Sequence, residues 1–278
     1  MPFSLFPGTE VDLLTGERIQ PGLRTRLLGR EVLYLPCVGS TNDIAWKLGQ
    51  MGVCEGFLVL TEEQVTGRGR HGRTWRAPFG GSLLASLLLR PTFLLPQETF
   101  LLTALAGLAV SQAVAEVTGL SPVLKWPNDL LFGERKVCGI LVELESEAGR
   151  LDWAVVGWGL NVNVDFRGDE LAGQATSLAM EAGRPFPRLP LLWNCLERME
   201  AGYEALRRGR GEEVWVAWRA ALGTLGRPVQ VVAPEGTFSG EALDVAPDGA
   251  LIVRREDGVV VRVLAGDVSL RDMPSPGA

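Results

Sequence analysis

Residues 137–164 read VCGILVELESEAGRLDWAVVGWGLNVNV. Val137 to Glu145 and Leu151 to Val164 are two long β-prone runs facing each other across the polar turn Ser146 to Arg150, so the segment reads as a hairpin. Working outward, Val123 to Trp126 and Leu130 to Phe132 are shorter strands around Pro127-Asn128, and Ser82 to Leu89 is apolar enough for a buried strand. Phe57 to Thr61 is a further strand, joined to Ser82–Leu89 through a Gly- and Arg-rich loop from Thr66 to Arg76. Helices flank these strands. Ser40-Thr41-Asn42-Asp43 supplies a start, Ile44, Ala45, Leu48 and Met51 a stripe, and Gly52 a stop. Pro96 opens a long apolar helix that Gly119 ends, and two more helices are expected over Leu189 to Arg208 and Glu212 to Leu222. The expected fold class is α+β: a mixed, mostly antiparallel sheet with helices packed on it.

After Gly226 short β-rich runs alternate with turns at Pro234-Glu235-Gly236, Pro247-Asp248-Gly249 and Glu256-Asp257-Gly258, the texture of a small all-β unit. A domain boundary is placed near Leu225, giving residues 1–225 and 226–278, with Met273 to Ala278 as a frayed tail. A length of 278 residues with 46% hydrophobic and 22% charged content suits a two-domain chain with a sizeable core. The net charge of -6 argues against a chain that coats nucleic acid or an anionic membrane. The four cysteines lie far apart without a C-x-x-C pair and are read as reduced, buried thiols; with one histidine, His71, little is left for a metal site. The N-terminus does not resemble a signal peptide, so the chain is expected in the cytoplasm. The uncharged run Thr99 to Ala115 contains Thr103, Ser111 and Gln112, and is read as a core helix rather than a membrane span.

Three segments carry chemistry. Gly67-Arg68-Gly69-Arg70-His71-Gly72-Arg73-Thr74-Trp75, with Arg76 after it, combines glycines that let backbone amides approach a ligand with forked cationic donors. A small anion is the natural guest; an RNA-binding tract or a solvated loop is the bland alternative. The segment satisfies the bare G-x-G-x-x-G pattern without its strand-to-helix context, and it is not a P-loop. Lys125-Trp126-Pro127-Asn128-Asp129 places a cation, an aromatic wall and turn-forming polar groups in a break between strands, and Lys136 follows; an exposed β-turn is the competing reading. Gly157-Trp158-Gly159-Leu160-Asn161-Val162-Asn163 is a buried strand whose glycines permit close approach and whose asparagines need partners, either a ligand or the protein itself.

Taken in order, Ser40-Thr41-Asn42, Gln64, the Gly-Arg-Gly-Arg loop, Lys125 to Asp129, Lys-x-x-Gly-Ile-Leu at 136–141, Gly-x-Gly-x-Asn-x-Asn at 157–163 and Thr-Ser-Leu at 176–178 resemble the biotin-protein ligase family over roughly residues 30 to 271. The resemblance implies a class II synthetase-like, biotin/lipoate ligase-like catalytic domain and a C-terminal SH3-like β-barrel. It implies activation of biotin by ATP as biotinyl-5'-AMP, then transfer to a lysine of a biotin carboxyl carrier protein, with Mg2+ entering through ATP. Carried over residue by residue, it gives Ser40, Thr41, Asn42, Gln64, Arg68, Gly69, Arg70, Lys136 and Gly139 to biotin, and Arg73, Trp75, Lys125 and Asn161 to the nucleotide. Lys136, Arg70 and Arg68 are the catalytic candidates; no protein metal ligand is assigned.

Two residues depart from the family pattern: His71 stands where many relatives have arginine, and Trp158 replaces the small or aliphatic residue expected between the glycines, so the adenylate wall is expected to differ locally. Only thirty-nine residues precede Ser40, so the chain resembles the form without an N-terminal DNA-binding domain, and no DNA or membrane partner is expected. Relatives differ in oligomeric state, leaving monomer and homodimer open. A lipoate-class ligase, a biotin-sensing DNA-binding regulator and a basic-loop RNA binder are the rival functions.

Overall fold

The structure is a computed structural model and describes residues 4–233, 236–264 and 266–270. The expected tail from Met273 lies outside these residues.

The main sheet has seven strands: β1 (Val32–Val38), β2 (Leu58–Gln64), β3 (Ser82–Leu89), β4 (Val123–Lys125), β5 (Asp129–Phe132), β6 (Arg135–Glu147) and β7 (Arg150–Asn161). Their order is β1-β2-β3-β7-β6-β5-β4. The β1–β2 pair is parallel and every other neighbouring pair antiparallel, as the mixed reading requires. The β6–β7 hairpin sets the centre, with Gly139 opposite Gly159 and Ile140 opposite Trp158.

Strand alternation sorts side chains between two faces. Ala154, Val156, Trp158 and Leu160 of β7 join the main core, whereas Val155 packs in a smaller cluster with Ala45, Val59 and Leu88. Four longer helices cover the sheet: α1 (Thr41–Gln50), α2 (Phe100–Thr118), α3 (Arg188–Arg207) and α4 (Gly211–Ala220). Helix α1 packs on the small-cluster side and the other three build the main core. Helix α2 is apolar on nearly every side because it is buried between α3, α4 and the sheet; its Gly119 cap is left-handed. It is the one helix among the described residues long and apolar enough to cross a membrane, and 56% of its most apolar window is buried.

The N-terminal segment is tied down by charge. Fully buried Arg188 donates from Nε to Asp12 at 2.7 Å and from a terminal nitrogen to the buried Glu62 at 2.6 Å, while the amide N–H of Leu14 donates to Glu62 at 2.9 Å. Removing either partner would leave an uncompensated buried charge, which typically costs about 3–5 kcal/mol.

The C-terminal unit is a five-stranded antiparallel sheet of β8 (Pro228–Ala233), β9 (Gly236–Val245), β10 (Leu251–Arg255), β11 (Val260–Val263) and β12 (Asp267–Leu270), ordered β11-β10-β9-β8-β12. Its Asp248-Gly249 turn docks on the catalytic part. Gly249, at φ +85°, lies so close to Phe100 that a Cβ would come within 2.2 Å of the ring. The Phe100 ring in turn meets Trp218 edge-on at 4.8 Å.

Three sequence readings need correction. Strand β1 was not expected. Cys138 and Cys195 are buried, but Cys37 and Cys54 are exposed: Cys37 falls on the sheet's edge strand and Cys54 follows the end of α1. Burial pushes the Cys195 thiol up to about 12 and Cys138 well above its ordinary value, so both stay protonated. The loop from Thr66 to Arg76 is also more ordered than its composition suggests. Gly67–Arg68 and Thr74–Trp75 form a two-residue ladder, closed by the Arg70–Gly72 turn and a 2.7 Å bond from Gly69 N–H to Arg73 C=O.

Candidate active site

A cavity of about 500 Å³ opens on the sheet face beside α1. Every sequence candidate lines it: Ser40, Thr41, Asn42, Gln64, Arg68, Gly69, Arg70, Arg73, Trp75, Lys125, Lys136, Gly139 and Asn161.

The floor comes from β6, β7 and the first turn of α1. Gly157, Gly159 and Asn161 alternate with core residues of β7 and so face the cavity. The glycines are required by what lies above them. A Cβ on Gly157 would sit 1.9 Å from Asn42 Oδ1, and one on Gly159 would sit 2.5 Å from the Trp75 indole. That indole spans the register pair Gly139–Gly159, and its N–H is buried without a partner among the described residues.

Polar groups at the deep end are held by one another. Gln64 Oε1 accepts from the Thr41 amide at 2.8 Å and the Thr41 hydroxyl at 3.2 Å. Ser86 Oγ contacts Thr41 Oγ1 at 2.8 Å and Asn42 Oδ1 at 2.6 Å, and Asn42 Nδ2 donates to Glu143 at 2.8 Å. Asn161 donates to Thr176 C=O at 3.1 Å and accepts from Ser82 at 3.3 Å, so it is satisfied by the protein while still lining the cavity. Asn163 is satisfied by the backbone of Phe186 and does not line the cavity.

The rim is cationic, and three of the cations named here meet carboxylates. Arg68 pairs with Asp43 at 2.6 Å and Glu143 at 2.8 Å, Arg73 with Asp267, and Lys136 Nζ with Asp129 at 2.7 Å. Lys136 also lies 5.6 Å from the Trp75 ring centre. Its backbone is fixed from both sides: its N–H donates to Gln174 C=O at 2.8 Å, and its C=O accepts from Thr176 N–H at 2.9 Å. Arg70 reaches Asn128 Oδ1 at 3.3 Å and Gly266 C=O at 3.4 Å. Burial lowers the pKa of Arg70, and Asp267 and Asp129 oppose it. Burial is likewise the main cause lowering the Lys125 pKa; neighbouring Lys136 and Arg73 add to it, against Asp129 and Asp267. Lys125 makes no ion pair within 4 Å among the described residues.

Some placements differ from the sequence reading. Trp126 is no cavity wall: it is buried, and its indole N–H donates to Gly249 C=O at 2.8 Å, tying the Lys125–Asp129 turn to the C-terminal sheet. The Trp158 side chain belongs to the main core, and the residue also lines the cavity between Gly157 and Gly159. His71 is exposed with a left-handed φ of 54°.

Sequence reasoning missed Ser86 and Glu143 behind the floor, Asp129 as the partner of Lys136, Asp267 from the C-terminal sheet, and the loop of Leu171, Gly173, Gln174 and Ala175 over the cavity. Ser86 had a signal, because Ser82 and Ser86 are regularly spaced polar residues in an otherwise apolar strand. Asp267 had none.

Such a cavity can hold one elongated anion, with neutral polar recognition at the deep end and charge neutralisation at the rim. Comparison with known proteins supplies the family. Residues 34–161 match the Biotin/lipoate A/B protein ligase family, and residues 224–271 match the Biotin protein ligase C terminal domain. The chain is 33% identical to the bifunctional ligase/repressor BirA of Bacillus subtilis, over 92% of this chain and 79% of that one. It is 32% identical to the biotin--[acetyl-CoA-carboxylase] ligase of Mycobacterium tuberculosis, over 94% of this chain and 98% of that one. A solved biotin protein ligase from Aquifex aeolicus, in complex with biotin and ATP, superposes with a TM-score of 0.74 at 30% identity, covering 88% of this chain and 100% of that one. Motif order, cavity and both matched segments agree: this chain is an enzyme of the biotin protein ligase family.

Proposed function

We propose that the enzyme activates biotin with ATP and transfers it to a lysine of a biotin carboxyl carrier protein, both steps taking place in the one cavity. The observation that carries this reading is the cavity's polarity. A neutral floor of buried Thr41 and Asn42 and half-buried Gln64 leads to a rim of Lys136, Arg68, Arg70, Arg73 and Lys125. A bicyclic urea with a carboxylate tail has the same division, neutral polar head and anionic end.

A carboxylate is a poor electrophile, so the first step is attack of the biotin carboxylate oxygen on the α-phosphorus of ATP. An oxygen–phosphorus bond forms, the bond from the α-phosphorus to the α,β-bridging oxygen breaks, and pyrophosphate leaves. The amine of the acceptor lysine then attacks the mixed anhydride's carbonyl carbon, AMP leaves, and the amine loses a proton. Both steps gather negative charge, which fixed cations stabilise without reorganisation. Lys136 is assigned to the carboxylate and its activated form, Arg68 and Arg70 to the biotin tail and adenylate phosphate, and Arg73, Lys125, Trp75 and Asn161 to the nucleotide. Gly69 and Gly139 give the backbone close approach.

Mg2+ enters with ATP and is assigned to the nucleotide's phosphates and water. The catalytic unit is taken as 1–225 and the C-terminal unit as 226–278, whose Asp267 reaches the cavity. Free cysteines suit the reducing cytoplasm.

Incubation with biotin, ATP, Mg2+ and a carrier domain tests the reading by mass: one lysine should gain one biotinyl group. Modification by lipoate in place of biotin, in direct competition, would overturn it.

A further inference from the structure

We propose that Ser86 and Glu143, neither of which lines the cavity, are positioning residues that fix the donor and acceptor sense of its floor, so that a ligand is taken through its own N–H groups. The inference deepens the biotin reading and rests on it.

Four oxygens stand in a row: Asn42 Oδ1, Ser86 Oγ, Thr41 Oγ1 and Gln64 Oε1, with successive separations of 2.6, 2.8 and 3.2 Å. The two ends are amide oxygens by virtue of their other partners. Gln64 presents oxygen because the Thr41 backbone N–H donates to it at 2.8 Å. Asn42 presents oxygen to Ser86 because its Nδ2 is turned to Glu143 at 2.8 Å and to Leu141 C=O at 3.3 Å. Both ends can only accept, and each hydroxyl between them brings one proton. Three contacts therefore share two protons.

One contact always lacks its proton, so one oxygen of the row keeps a lone pair free to accept from an incoming donor. Ser86 is fully buried, and Thr41 and Asn42 are 4% exposed. Thr41, Asn42 and Gln64 line the cavity, so a donor arriving there supplies the missing proton. A cyclic urea brings two N–H donors; the dithiolane ring of lipoate brings none. The floor thereby discriminates between the two head groups through residues behind it. Glu143 is decisive because a carboxylate only accepts and so holds the Asn42 amide in one sense. Ser86 lies opposite Gly157 in the ladder, and only a glycine there leaves room for Asn42 Oδ1.

The test uses the full chain as wild type, Ser86→Ala and Glu143→Gln, since glutamine can donate as well as accept and frees the Asn42 amide to turn over. Biotin affinity by calorimetry should weaken about tenfold in each, the loss of one oriented hydrogen bond. For Ser86→Ala, KM for ATP and kcat at saturating biotin should stay within about twofold. The double variant should weaken little beyond either single, because both act on one row. Should Ser86→Ala fail to fold, Ser86→Cys keeps the volume with a weaker hydrogen bond and gives the same comparison. Variants that bind biotin as tightly as wild type overturn the inference. So does weakening of biotin and ATP together with a matching fall in Tm, which would mark a merely structural role. A wild type that binds no biotin overturns the functional reading instead, and this inference with it.

Discussion

Replacing Lys136 by alanine should slow adenylate formation by more than the loss of one contact. Nζ lies 2.7 Å from Asp129, whose side chain is only 17% exposed. A charge-assisted hydrogen bond to the reacting carboxylate contributes about 1.5–3 kcal/mol, or roughly one to two decades in rate. Alanine also leaves the Asp129 carboxylate without its cation beside the incoming phosphates, and that repulsion adds to the loss. The double variant Lys136→Ala/Asp129→Asn should therefore recover roughly fivefold over the single, a coupling of about 1 kcal/mol between contacting residues. Biotin-dependent pyrophosphate release in a single turnover measures both. Release at the wild-type rate by Lys136→Ala would refute the assignment of Lys136 to the carboxylate. A double variant slower than the single would refute the electrostatic account of Asp129.

Arg70→Gly removes a donor that reaches both Asn128 and the C-terminal sheet at Gly266. Biotinyl-AMP should then escape faster while its synthesis slows less, and bystander lysines should become labelled; equal dissociation rates with no bystander labelling would count against a loop that guards the intermediate. Because burial depresses the Lys125 pKa, an incoming anion should raise it again. Nucleotide binding should then take up a proton and weaken as pH rises through the alkaline window below the ordinary lysine value of 10.5. Calorimetry in buffers of different ionisation enthalpy should show that uptake in wild type and lose it in Lys125→Met; uptake that survives the substitution would assign it elsewhere. Gly249→Ala forces a Cβ to within 2.2 Å of the Phe100 ring at a left-handed φ. It should cost about 1–3 kcal/mol, read as a lower Tm, while biotin binding by the folded protein persists; an unchanged Tm would show that this turn does not press on the ring.

Elements with strong local signals were legible. Strand β3 is buried along its whole length and α2 on nearly every side, so each reads as an apolar run whose bounds are set by Gly, Pro or polar residues. The edge strand β1 was not legible, because it contains Pro36 and exposes Cys37, both of which weaken a strand pattern. The short helix Leu178–Ala182, capped by Ser177, is too brief for a periodicity. In the site, the loop arginines and the floor glycines were visible because a single stretch of chain carries each set. Glu143, Ser86 and Asp267 come from three strands, and only Ser86, spaced four residues from Ser82 in an otherwise apolar run, carries a local signal. Trp126 shows the limit of adjacency: it follows Lys125 directly, yet its indole turns to the C-terminal sheet rather than the cavity.

The acidic net charge of -6 and an anion-binding site are reconciled by how the empty rim is built. Four of its cations are already paired, Arg68 with Asp43 and Glu143, Arg73 with Asp267, Arg76 with Glu170 and Lys136 with Asp129. Binding a polyanion is therefore an exchange of carboxylate partners, not the capture of an ion by a bare positive patch. The pairs differ in what exchange costs. The side chains of Arg73 and Arg76 are 66% and 55% exposed, where solvent screens an ion pair and its loss costs about 0–1 kcal/mol. Asp129 is mostly buried and could not lose Lys136 so lightly. In the proposed reaction the outer arginines would be free to exchange partners with the nucleotide's phosphates, whereas Lys136 is anchored by Asp129 and by its own backbone bonds to Gln174 and Thr176. In the proposed reaction a cation fixed in this way would meet the biotin carboxylate without reorganising, which is what electrostatic stabilisation of the adenylation step requires.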